Sequence, residues 1–168
     1  GTSPTGMTRM GASNFGVWFF AQGQATIRNN VIATDGGNAI SRGVTTTGPV
    51  IVQGNSIGVN ANGTAAFATV PASAINDFSS APGYLIGGPN PGDGNVIAGY
   101  HTAVFVESPG ATVEGNLIGL DPTGTTILGS GTRGITTSFA QIEPGVFFRN
   151  NRIAGHATGI EIGNAALA

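Results

Sequence analysis

One short pattern recurs through the chain and restricts its fold more than any other feature. The tetrapeptide Asn-x-Ile-Gly/Ala appears at Asn30–Ala33, Asn55–Gly58, Asn95–Ala98, Asn116–Gly119 and Asn151–Ala154. The residue before each Asn is Asn29, Gly54, Gly94, Gly115 or Asn150. Asn and Gly are the residues that most readily accept a left-handed backbone. The pattern predicts that a strand ends, one left-handed residue bends the chain, and an Asn follows, five times over.

A second landmark lies upstream of each turn. Strand starts of the form Gly/Ala-Val/Ile occur at Gly16-Val17, Gly43-Val44, Ala74-Ile75, Ala103-Val104, Gly134-Ile135 and Gly159-Ile160, at spacings of 25 to 31 residues. Gly-Thr turns follow Ile-Gly in alternate units, at Gly58–Thr64 and Gly119–Thr125. The chain therefore reads as a duplicated pair of coils.

The apolar residues alternate with period 2, as in Val104-Phe105-Val106 and Ile160-Glu161-Ile162. Helical spacing is missing over any useful length. A unit of this size cannot bury its own apolar face, but stacked units can, about 4.8 Å apart. The expected fold is all-β: a parallel β-helix of about six coils, a single domain over residues 1–168. A leucine-rich repeat would need Leu-x-x-Leu-x-Leu, and a sandwich of hairpins would not explain a motif kept in register.

Stacking gives the repeated residues their work. Ile32, Ile57, Ile97, Ile118 and Ile153 are expected to form an internal apolar ladder. Asn30, Asn55, Asn95, Asn116 and Asn151 are expected to form a structural amide ladder, each bonding its neighbour and the turn backbone. By this count, replacing Asn116 by Leu costs ~1–3 kcal/mol through unpaired turn groups.

Composition narrows the function. Glycine is 29 of 168 residues, charged residues are 8%, and Cys and Lys are absent. Without Cys there is no disulfide scaffold or thiolate zinc site. Six scattered Arg and a pI near 5.5 give no footprint for nucleic acid. No apolar run reaches the ~18 residues of a membrane helix. The chain opens neither on Met nor on a secretory leader, so a processed chain or a piece of a larger protein is expected.

The strings Leu85-Ile86-Gly87-Gly88, Gly94-Asn95-Val96-Ile97-Ala98-Gly99 and Gly115–Thr125 carry a resemblance. They resemble the right-handed parallel β-helix repeats of large bacterial secreted and surface proteins, within the pectate-lyase-like superfamily. That group includes polysaccharide lyases, carbohydrate epimerases, phage tailspikes and adhesin segments. The resemblance implies right-handedness and an extracellular or cell-surface location, and leaves function open.

Candidate chemistry is sparse. The residues just before the left-handed positions are Arg28, Gln53, Asp93, Glu114 and Arg149, which should stack on one outer face. Resembled lyases hold calcium on acidic residues and use an arginine as base. Asp93, Glu114 and Arg149 are therefore the candidate catalytic residues, against the alternative of a surface ion pair. Calcium is the one cofactor such a site would bring, yet three residues fall short of its six to eight oxygens. No metal site and no cofactor are otherwise expected. Asp121-Pro122-Thr123-Gly124 reads as a type I turn before it reads as a calcium loop. His101 and His156 read as turn residues two coils apart, ~10 Å.

Alternation places Trp18, Phe105 and Phe147 outward on the first strands of their coils, as candidate binding residues for sugar rings or another chain. Thr45, Asn76, Thr136 and Glu161 would share that column; Thr45-Thr46-Thr47 hints at a flat threonine face that does not recur. The strand Gly159–Asn164 opens a sixth coil without its turn, and residues 1–15 offer a cap for the other end. The expected function is a structural or binding scaffold: adhesion, filament or surface assembly, or glycan contact. Expected partners are neighbouring copies, flanking coils of a longer chain, and glycans. A carbohydrate-active lyase or hydrolase is the alternative.

Overall fold

The computed structural model describes residues 2–10, 14–20, 22–44, 47–67, 70–138 and 145–163. Thr45, Thr46 and Asn164 lie outside the described residues. Sixteen strands are present: β1 (Phe15–Phe19), β2 (Ala25–Arg28), β3 (Val31–Ile32), β4 (Asn38–Arg42), β5 (Val50–Gln53), β6 (Ser56–Ile57), β7 (Val70–Asp77), β8 (Tyr84–Gly87), β9 (Val96–Ile97), β10 (Tyr100–Val106), β11 (Thr112–Glu114), β12 (Leu117–Ile118), β13 (Gly131–Thr137), β14 (Phe147–Arg149), β15 (Arg152–Ile153) and β16 (His156–Ile162).

They form three parallel sheets, one strand per coil in each. The six-stranded sheet runs β1-β4-β7-β10-β13-β16; the five-stranded sheets run β2-β5-β8-β11-β14 and β3-β6-β9-β12-β15. Every third strand pairs, so the chain winds around one axis as a parallel β-helix of five laps and one further strand. No helix of the described residues is long and apolar enough to cross a membrane.

The apolar ladders fill the interior. Ile32, Ile57, Ile97, Ile118 and Ile153 stand in register. Across the core, Val17, Ile40, Ile75, Val104, Ile135 and Ile160 do the same. The second coil enters this column at Ile40, not at Val44, which lies exposed beyond the strand end. Gly43-Val44 imitates the strand-start pattern, but β4 has already ended at Arg42. Ser41, not Thr45, therefore holds the outward place in coil 2.

The Asn ladder is continuous. The backbone N–H and the Nδ2 of Asn30 both donate to Asn55 Oδ1, at 2.9 and 3.0 Å. Asn55 donates in the same way to Asn95, Asn95 to Asn116, and Asn116 to Asn151, all at 2.9–3.0 Å. The second Nδ2 hydrogen reaches a strand carbonyl: Ile27, Val52, Ile86 or Val113 for the last four members. Asn29, Gly54, Gly115 and Asn150 have the expected positive φ. Gly94 does not. In coil 3 the positive φ falls at Gly87, at the end of β8, and again at Gly92, inside the inserted segment 88–93 that precedes Gly94 and Asn95.

Residues 2–10 do not cap the end of the column. They form a side hairpin that repeats the two Gly-Thr turns. Gly6, Gly63 and Gly124 all have φ of 65 to 69° and donate to Ser3 O, Asn60 O and Asp121 O at 2.8 Å. Antiparallel bridges close each hairpin, at Thr2 and Arg9, Val59 and Ala66, and Leu120 and Ile127. The hairpins stack: Ala61 N–H donates to Gly6 O at 2.9 Å, and Pro122 packs against Gly63. Asp121 Oδ1 accepts from the Thr125 and Thr126 N–H groups and its Oδ2 from the Thr123 hydroxyl, so this segment is a self-capped turn. The Thr126 N–H foremost holds the Asp121 carboxyl below its usual pKa.

Candidate functional site

The outward column of the six-stranded sheet runs Trp18, Ser41, Asn76, Phe105, Thr136 and Glu161. Alternation along each strand turns these side chains away from the core ladder. At its N-terminal end the column carries an aromatic wall. Trp18 stacks on Phe15 at 4.6 Å, and Phe20 meets Trp18 at 4.1 Å. A second wall forms where Phe78 meets Phe105 at 5.2 Å.

Between the walls lies a groove of about 460 Å³, lined by Trp18, Phe20, Ser41, Asn76, Phe78 and Glu107 among others. A second hollow of about 550 Å³ shares Phe15, Asn38, Asn76 and Phe78 with it. Ser41 and Asn76 form the floor and are each only 5% exposed. Among the described residues neither side chain has a hydrogen-bond partner in the protein. Their polar atoms are not among the fully buried unpaired ones, so they open onto the groove.

The far rim is set by a buried cluster. Arg42, at the end of β4, is fully buried. Its Nη1 donates to Ser108 Oγ at 2.7 Å and Ala81 O at 3.1 Å, and its Nη2 to Gly48 O at 3.0 Å. Asp77 lies 3.6 Å from Nη1 and is also fully buried. Asp77 accepts from the N–H groups of Ser79 and Ser108 and from the Ser108 hydroxyl. Phe78 sits between Asp77 and Ser79, and Glu107 precedes Ser108. The cluster thereby fixes both rim residues.

Burial holds the Asp77 carboxyl above the ordinary carboxylate range, opposed by the Ser108 and Ser79 hydrogen bonds and the Arg42 charge. The native pKa exceeds the unfolded value of about 3.9. Between the two values the native state binds the extra proton. This group's stabilisation is therefore full below about pH 3.9 and is lost as pH rises through the native pKa. Stability of the wild type relative to Asp77→Asn is expected to fall as pH rises above about 4. Parallel pH profiles in denaturant unfolding would contradict this.

The candidate catalytic residues are not brought together. Gly87, not Asp93, pairs with Glu114, while the Asp93 carbonyl accepts from the Gly54 N–H at 3.0 Å on the other side, beside Gln53. Asp93 instead bonds Arg28 at 2.8 Å, and its Oδ2 accepts from Asn90. Glu114 and Arg149 are neighbours in register, but the guanidinium lies over the Phe147 ring at 5.1 Å. Among the described residues the Glu114 carboxylate accepts one long bond, from Asn150 Nδ2 at 3.4 Å. Among the described residues no three His, Asp or Glu are placed to hold a metal ion. These donors do not fit a calcium site.

Phe147 is also elsewhere. It belongs to β14, in a five-stranded sheet, because its strand is the second of its coil and not the first. Trp18 and Phe105 do share the outer face. His101 Nε2 meets the Thr132 hydroxyl at 2.6 Å, while His156 Nδ1 meets Ala154 O and burial lowers its pKa. Phe15, Phe20, Phe78, Ser41 and Glu107 complete the groove and escaped the sequence reading. Counting alternation from Ile40 would have found Ser41.

Comparison with family models, curated proteins and solved structures finds no match. The groove must therefore be read from its own chemistry.

Proposed function

We propose that this chain is a rigid, non-catalytic β-helix scaffold of an extracellular or cell-surface protein, of the kind its repeats resemble. It works by displaying a binding face. The observation that carries this reading is the aromatic-walled groove on the six-stranded sheet. A parallel β-helix holds such a face on hydrogen-bonded strands, so its side chains are positioned before any ligand arrives. Support for the non-catalytic part comes from Asp93, which is tied to Arg28, and from Arg149, which is turned onto Phe147.

The ends of the column favour a second kind of contact, with neighbouring copies or flanking coils. A hollow of about 580 Å³ at the first coil is lined by core residues including Val17, Phe19, Ile27 and Ile32. At the other end Ile160 and Ile162 of β16 are exposed. Apolar surface and open strand edges of this sort are buried by further stacking in solenoids.

The test is a cleavage screen of the whole chain against polyuronates and neutral polysaccharides, read by product release. No turnover is expected. Cleavage that disappears on replacing Asp93, Glu114 and Arg149 together would overturn the scaffold in favour of a lyase or hydrolase.

A further inference from the structure

We infer that the groove between Trp18 and Phe78 is a binding site for a neutral glycan, a sugar chain without carboxylate or sulfate groups. The inference rests on the scaffold reading and gives its binding face a ligand class.

Three observations converge. The first is the unpartnered floor. Ser41 and Asn76 are each only 5% exposed, their side chains bond nothing among the described residues, and their polar atoms open onto the groove that both line. An amide offers two donors and an acceptor, and a hydroxyl offers one donor and two lone pairs. That inventory matches vicinal sugar hydroxyls, which donate and accept at once. A ligand that pairs these groups in place of water gains specificity.

The second is the pair of walls. Trp18 is 52% exposed and Phe20 and Phe78 are similarly open, on a face whose core ladder is closed. Flat rings presented beside a polar floor suit a ligand that is apolar on its faces and polar at its edges, as a pyranose is. Trp18 and Phe105 stand three coils apart in one column, roughly 14 Å along the axis. The groove therefore extends beyond a single ring.

The third is charge. Among the described lining residues Arg42 is the one cation, and its side chain is fully buried and committed to Ser108, Ala81 and Gly48. Glu107 is the one carboxylate, on the rim, where it accepts the Ser138 hydroxyl. Among the described lining residues no free cation offsets a uronate, and Glu107 repels one. The site thus differs in ligand class from the acidic-glycan chemistry considered for Asp93 and Glu114.

Trp18 is the single Trp of the chain, so its fluorescence reports on this groove alone. The experiment titrates the whole chain with oligosaccharides of glucose, mannose and N-acetylglucosamine, and in parallel with oligogalacturonate. At least one neutral series is expected to shift the Trp18 emission saturably, with oligogalacturonate silent. Asn76→Ala is expected to weaken that binding about tenfold or more. Phe20→Ala, at an exposed position that leaves the core intact, is expected to weaken it as well. A stronger response to oligogalacturonate overturns the ligand class while the scaffold reading stands. No response to any sugar, with the emission instead changing with protein concentration, overturns the glycan site in favour of a second copy of the chain. Cleavage of the added sugars overturns the scaffold reading itself.

Discussion

Replacing Asn116 by Leu is expected to lower native stability by roughly 3–5 kcal/mol, whereas Asn30→Leu is expected to cost no more than about 1 kcal/mol. The two residues have the same role in the repeat and differ in burial. Asn116 is fully buried. Its Oδ1 accepts both the backbone N–H and the Nδ2 of Asn95, and its Nδ2 serves the carbonyl of Ile86. Leu would leave these groups unpaired where no water reaches them. Each such orphan costs about 1–3 kcal/mol, so counting a single lost turn bond understates the effect. Asn30 is exposed, and its bonds to Arg28 O and Asn55 Oδ1 can pass to water. Urea unfolding of the two variants measures the difference. Equal losses would mean that the ladder stabilises through local turn geometry and not through burial of paired amides.

The ladder was legible in the sequence because stacking allows little freedom. A residue that must bond its counterpart one coil away cannot drift in register, so Asn-x-Ile survives wherever a coil turns. The same logic exposed the Ile column. Legibility ended where the coil leaves that register. The inserted segment 88–93 kept the motif but put Gly87 at the end of β8, and this left Asp93 beside Gln53 and separated it from Glu114, with which Gly87 pairs. Gly43-Val44 has the composition of a strand start, yet the chain has already spent its strand at Ile40. The side hairpin of residues 2–10 was readable in principle. Gly1-Thr2-Ser3-Pro4-Thr5-Gly6 parallels Gly119-Leu120-Asp121-Pro122-Thr123-Gly124, with Ser3 in place of the Asp that caps the turn. The groove was half legible. Period 2 puts Trp18 and Phe105 outward, but Phe20, Phe78 and Glu107 lie just past strand ends, where alternation no longer applies. The cluster behind them draws one residue from each of three coils, at irregular corners, and leaves no repeat to find.

Arg42→Ala is expected to match the Asn116→Leu loss, costing about 3–5 kcal/mol at neutral pH, because it strands a buried carboxylate. Asp77 would keep its bonds from Ser79 and Ser108 but lose the Arg42 charge 3.6 Å away. A cavity under the Tyr84 ring, over which the guanidinium lies at 5.4 Å, would add to the loss. The two causes separate by pH. Burial already raises the Asp77 pKa with Arg42 in place, and removing the cation raises it further. Asp77 then protonates more readily in the folded variant, and protonation removes the stranded charge. The stability gap between wild type and Arg42→Ala should therefore be widest near neutral pH and narrow as pH falls. A gap of constant size would assign the loss to packing alone. Arg42→Lys tests the geometry: it keeps the charge, but a compact ammonium cannot reproduce the fork that reaches Ser108, Ala81 and Gly48 together. It should recover the pH dependence of the wild type while regaining only part of its stability. Because Phe78 and Glu107 flank the cluster, the same variant should also loosen the groove rim and weaken any ligand held against Phe78.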